Sequence, residues 1–189
     1  MKLVKNAAKF LAAFAFMLLA TAMIFTQDVE AKETKLSSKE LSKFDDTFKD
    51  IATAVPYYTA YCISGDLEGT TVVLDFSKNA ARKKILDYRS FYSSKTTSKA
   101  STDLFGKSTS GAAASISGDW GDGYPKIGKK TAYKTGTNKY KVVFEQNMVS
   151  YDSYTYDEVL TKIATITMYL KKSSKSANGF IITKMEIAY

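Results

Sequence analysis

The chain has 189 residues and a formal net charge of +8, with one cysteine and no histidine. The absence of histidine excludes Ser-His-Asp and Cys-His nucleophile systems, imidazole acid–base chemistry and the usual zinc sites. A lone cysteine excludes an internal disulfide, and the standard glycine-rich nucleotide loops are missing, so no cofactor and no metal is expected.

Lys2, Lys5 and Lys9 give a basic start, and an apolar run from Phe10 to Phe25 follows, interrupted by Thr21. Val29-Glu30-Ala31 then fits a small-x-small cleavage site. Residues 1–31 therefore read as a secretory signal, and residues 32–189 as a single domain outside the cytoplasm, secreted or associated with a bacterial envelope. Cys62 reads as a small buried hydrophobe. The basic charge is nearly all lysine, Arg82 and Arg89 being the only arginines. Lysine is a solvated point charge, so the excess favours solubility or attraction to anionic surfaces over sequence-specific nucleic-acid binding.

Ser37 and Glu40 have capping-box spacing, with Leu36 and Leu41 placed as a hydrophobic staple. Leu41, Phe44, Phe48, Ile51 and Val55 recur at helical spacing and Pro56 stops them, which predicts a helix over 38–55. Residues 57–76 are ambiguous, with strand composition at Thr70–Leu74. From Ser77 a second helix is expected, with Ala81, Ile85, Tyr88 and Tyr92 on its apolar face and Arg82, Lys83 and Asp87 away from it. Residues 93–115 are mostly Ser, Thr, Lys, Gly and Ala and read as a mobile loop or linker, interrupted by Leu104 and Phe105, which would dock.

The last third alternates with period two. The even positions of Tyr140–Val149 are Tyr140, Val142, Phe144, Gln146 and Met148. Ala164, Ile166, Met168 and Leu170 share one face of a second strand, and Ile181, Met185 and Ile187 one face of a third. Asn178-Gly179 predicts a tight turn before that last strand, and Thr131–Tyr133 is a further candidate strand. Helices first and long strands after predict an α+β domain, with the N-terminal helices on one face of a curved antiparallel sheet.

The capped helix from Ser37 and the strands Lys139–Tyr151, Thr161–Lys171 and Gly179–Tyr189 resemble the nuclear-transport-factor-two-like (SnoaL-like) roll, in which a curved sheet wraps helices into a cone. The resemblance implies a cone mouth that holds a small ligand, often without catalysis. A cystatin-like roll has a similar pattern.

Candidate binding residues are few. Gln146 is a polar residue on an apolar strand face; in a cone fold it would line a pocket with Tyr88 or Tyr92, and a β-bulge or an exposed strand end fits the pattern equally. Gly118–Pro125 holds the only tryptophan, and Trp120 with Tyr124 would form a stacking lip for a ligand. Asp119 and Asp122 alone do not make a calcium loop. A tight turn with Trp120 plugging the core is the plainer reading of the segment. Lys126, Lys129, Lys130, Lys134, Lys139 and Lys141 cluster in sequence, and with Lys171, Lys172 and Lys175 they predict a basic rim for an anionic envelope polymer. Three readings stay open: a non-enzymatic domain binding a small molecule or partner, an envelope protein attracting polyanions, and a hydrolase or isomerase built on carboxylates and tyrosine.

Overall fold

The structure, a computed structural model, describes residues 33–48, 51, 68–87, 96–112 and 124–189. The expected signal at 1–31, together with Cys62, Tyr88, Tyr92 and Trp120, lies outside these residues.

A two-residue strand β1 (Thr34–Lys35) leads into α1 (Ser38–Leu41). The capping box forms as expected: Ser37 N donates to Glu40 Oε2 at 3.0 Å, and Glu40 N donates to Ser37 Oγ at 3.4 Å. The expected continuous helix is interrupted. Ser42 Oγ donates to the Lys39 carbonyl at 2.8 Å, in competition with the helical ladder. The chain tightens into a 3-10 turn at Ser42–Phe44 before residues 45–48 and 51 turn helical again. Phe44, Phe48 and Ile51 are buried, and Leu36 and Leu41 pack against the same core.

Strand β2 (Thr71–Asp75) precedes α2 (Asn79–Asp87), whose Ala81, Ile85 and Leu86 are buried. Arg82 corrects the sequence reading: it is 6% exposed, not turned to solvent. Its guanidinium donates to the carbonyls of Phe76 at 2.8 Å, Ser77 at 3.0 Å and Ser108 at 3.3 Å, and to Thr109 Oγ1 at 3.1 Å. Neutral acceptors thus take the place of a counter-ion, and the side chain fastens the segment after Phe105 to α2.

The stretch read as a loop or linker holds a helix, α3 (Thr97–Phe105), capped by Thr96 at its start and by left-handed Gly106 (φ +65°) at its end. Composition misled because its polar groups find partners, some within the segment and some at Ser176 and Ala177. Ser176 Oγ donates to the Asp103 carbonyl at 2.5 Å, Ala177 N donates to Asp103 Oδ1 at 3.1 Å, and Ser101 Oγ donates to the Lys107 carbonyl at 2.5 Å. Leu104 and Phe105 dock as expected, with Phe105 stacked on Phe76 at 4.4 Å.

Strands β3 (Tyr124–Gly136), β4 (Lys139–Tyr151), β5 (Glu158–Lys172) and β6 (Phe180–Ala188) complete a six-stranded antiparallel sheet of order β1-β3-β4-β5-β6-β2. The domain is therefore α+β. The turn before β6 forms as expected, with Gly179 N donating to the Ser176 carbonyl and Gly179 at φ +76°. Along β6, Thr183 is an extra residue between the pairs Tyr169↔Lys184 and Leu170↔Ile182. The bulge shifts the phase, so Ile182 and not Ile181 enters the core.

Successive residues point to opposite faces. The rung Ala132–Val142–Met168–Met185–Leu74, one residue from each of five strands, belongs wholly to the buried cluster with Phe44, Ile85 and Leu104. Phe44 anchors that cluster, its ring 4.8 Å from Phe180 and 5.5 Å from Tyr140.

Candidate functional site

Gln146 is fully buried on the core face of β4. Its Nε2 donates to the Asn147 carbonyl at 3.2 Å, while Oε1 has no hydrogen-bond partner. Irregular pairing lies on both sides of it. Glu145 faces two residues of β3, Gly128 and Lys129, and Ile163 of β5 is an extra residue opposite the Gln146–Asn147 step. A Cβ on Gly128 would lie 2.5 Å from Asn147 Nδ2, so a larger residue there would have to displace the Asn147 side chain.

Tyr124 opens β3 half-exposed, and its hydroxyl donates to Glu158 Oε1 at 3.1 Å. That hydrogen bond, more than burial, raises the phenol above its ordinary range. Tyr124 pairs with Val149 and Ile127 with Gln146, so the fold sets the two candidate residues several rungs apart and does not join them in one pocket.

The expected lysine rim divides. Lys130 Nζ lies 3.2 Å from Asp45 Oδ1 and 4.8 Å from the centre of the Phe48 ring. Lys141 Nζ binds both Glu33 oxygens at 2.5 and 2.6 Å and lies 5.0 Å from the centre of the Tyr133 ring. Lys126 pairs with Asn147, toward the opposite end of β4 from Lys139. Lys139 and Lys171 pair directly across β4 and β5, and both are exposed.

Register builds something that sequence reading missed. Lys35, Tyr133, Lys141, Tyr169, Lys184 and Asp75 form a single rung across all six strands, on the face turned away from the core. Lysine and tyrosine alternate over its first five positions. Lys184 Nζ lies 5.1 Å from the centre of the Tyr169 ring and 2.6 Å from Glu186 Oε1, and the Tyr169 hydroxyl donates to Glu186 Oε2 at 3.2 Å. The Lys184 hydrogen bond holds the Glu186 carboxyl below its usual range. Partial burial, aided by Glu186, raises the Tyr169 phenol.

Beside this rung, at the β3–β4 turn end of the sheet, lies a pocket of about 310 Å³ lined by Thr135, Lys139, Tyr169, Lys171, Thr183 and Lys184. With Tyr140 and Leu170, which also line it, the pocket has three lysines, two threonines, two tyrosines and a leucine, and no acid among the lining residues. Most of the wall is apolar; the lysines at its edge suit an anion, Lys139 and Lys171 more than Lys184, which Glu186 already holds. Only the alternation of Lys184 and Glu186 with apolar neighbours marked this face in the sequence. Among the described residues no group of three acids, histidines or cysteines could hold a metal, and no helix is long and apolar enough to cross a membrane. No protein-family model, no curated protein and no solved structure matches the chain.

Proposed function

We propose that this chain is an exported, non-enzymatic binding domain that holds an anionic ligand at the lysine-lined end of its outward sheet face, the ligand being a segment of an acidic envelope polymer. The observation carrying the reading is the pocket lined by Lys139, Lys171 and Lys184 together with Tyr169. Lysine ammonium groups attract phosphate or carboxylate as point charges, and the chain's excess of eight positive charges assists the encounter. The run of four long antiparallel strands after the helical segments supports a roll of the SnoaL-like or cystatin-like kind, although β1 and β2 come before it, and the basic, apolar and small-residue order of 1–31 supports export.

The test is titration of the full chain with long-chain polyphosphate and with polygalacturonate. Binding should weaken at least tenfold as ionic strength rises from about 0.05 to about 0.5 M, because exposed charges are screened. Lys139→Glu combined with Lys171→Glu should remove it while unfolding by urea stays unchanged. Binding that ignores both salt and charge reversal would sink the reading.

A second reading, a small polar ligand reaching the core face, has one observation in its favour: the unpartnered Gln146 Oε1. Gln146→Leu distinguishes the two. A purely structural amide without a partner predicts equal or higher stability for the variant. A ligand-serving amide predicts loss of small-molecule stabilisation in a thermal-shift screen.

A further inference from the structure

The β4–β5 hairpin ends, at residues 151–160, in the opposite character to the pocket. Tyr154 is 91% and Tyr156 80% exposed, and Tyr151, Val159 and Leu160 also stand open. Among the large apolar side chains that are exposed in the described residues, Val73 alone lies away from this end, since Tyr124 pairs beside it. The segment carries Asp152, Asp157 and Glu158 and no basic residue, in a chain of net charge +8.

The tip is built to hold its rings out. Asp152 Oδ1 accepts from Tyr154 N at 2.8 Å and from Thr155 N at 2.9 Å, and the Asp152 carbonyl accepts from Tyr156 N at 2.9 Å. Tyr156 has φ +59°, a left-handed conformation that a bulky side chain keeps only where surrounding bonds impose it. A rigid display of exposed aromatic rings has the composition of an interface core.

We infer that the acidic, tyrosine-rich tip of one copy of this chain docks into the lysine-lined pocket of a second copy, joining molecules head to tail. The inference rests on the reading of that pocket as an anion acceptor. Charge complementarity selects the partner: three acids and no base at the tip, and three lysines at the pocket, of which Lys184 is paired with Glu186 and Lys139 and Lys171 are exposed. The two surfaces lie at opposite ends of β4, 13 residues long, and so roughly 40 Å apart at about 3.4 Å per residue. A molecule therefore cannot satisfy its own pocket. Two different patches joined this way make a heterologous contact, which propagates into chains unless the rotation happens to close a ring.

The experiment is sedimentation velocity of the full chain at low ionic strength over a range of concentrations. The average mass of the wild type should rise with concentration. A tip variant (Tyr154→Ser with Asp157→Lys) and a pocket variant (Lys139→Glu with Lys171→Glu) should each associate at least tenfold more weakly. Both change exposed positions, and unaltered circular dichroism checks their folding. Mixing the two variants restores one intact tip and one intact pocket, so pairs should form that stop at two copies. Polyphosphate should return wild-type chains to single molecules by occupying the pocket. A wild type that stays monomeric yet binds polyphosphate overturns this inference and leaves the proposed function standing. Association that survives the pocket variant, or mixed variants that fail to pair, also overturns it. Association without any polyphosphate binding counts against both.

Discussion

Two neighbouring rungs of the sheet, one residue apart on every strand they share, have little chemistry in common. Ala132, Val142, Met168, Met185 and Leu74 lie in the buried core and are at most 4% exposed. Tyr133, Lys141, Tyr169, Lys184 and Asp75 face the other way, with lysines beside aromatic rings and carboxylates. The first rung is what stability requires. Apolar burial is non-directional, so many side chains of similar volume would serve there. The second rung contributes little to stability, since partly exposed ion pairs are worth a fraction of a kcal/mol to about 1 kcal/mol. An ordered array that folding does not demand is the better place to look for a function.

The sharpest way to break this contrast is to attack the inner side. Phe44→Ala removes a fully buried ring in contact with Tyr140 and Phe180 and should cost about 3–5 kcal/mol, read as a lower urea midpoint. A loss below about 1 kcal/mol would mean that the core collapses around the gap and is less specific than the geometry suggests. Next comes Arg82→Met, which strands the carbonyls of Phe76, Ser77 and Ser108 and should cost about 3 kcal/mol. Proteolysis should then begin within 106–112. A fully resistant segment would show that Arg82 does not fasten it.

The smallest effect belongs to the hairpin tip. The backbone N–H groups of Thr155 and Tyr154 hold the Asp152 carboxyl below its ordinary range. A lowered carboxyl supports the folded turn fully above the ordinary aspartate pKa, and the support fades as pH falls through the lowered value. Amide exchange at Tyr154 and Thr155, corrected for its intrinsic pH dependence, should show protection only while Asp152 is ionised. Asp152→Ala should remove that pH dependence. Unchanged protection in the variant would mean that the turn's backbone bonds suffice.

Much of the inner face is legible in the sequence. Period-two alternation marks Val142, Phe144, Ile166 and Met168, and the Ser37–Glu40 box marks where the first helix starts, because both signals are local. The outer rung is not legible. Tyr133, Lys141, Tyr169 and Lys184 meet only through the registers of β3 to β6, and register is a property of pairs of strands. The Thr183 bulge and α3 escaped for a related reason. Each is fixed by partners distant in sequence, Leu170 and Tyr169 for the bulge, Ser176 and Ala177 for the helix. Of the five candidate binding residues, Gln146 and Tyr124 fall among the described residues, the first inside the core and the second on the rim of the hairpin tip.

The strand order also sets a timetable. The two edges of the sheet, β1 and β2, precede the four central strands in the chain, yet Lys35 pairs with Tyr133 and Thr71 with Ala188. Each edge must therefore wait for a partner about a hundred residues downstream, and loop closure of that length precedes any reward from pairing. A chain emerging from the ribosome cannot finish its sheet until residues as far as Ala188 are present. Until its partner is made, each edge segment has no strand to pair with, so the sheet is built from its centre outward and closed last by the residues made first and last.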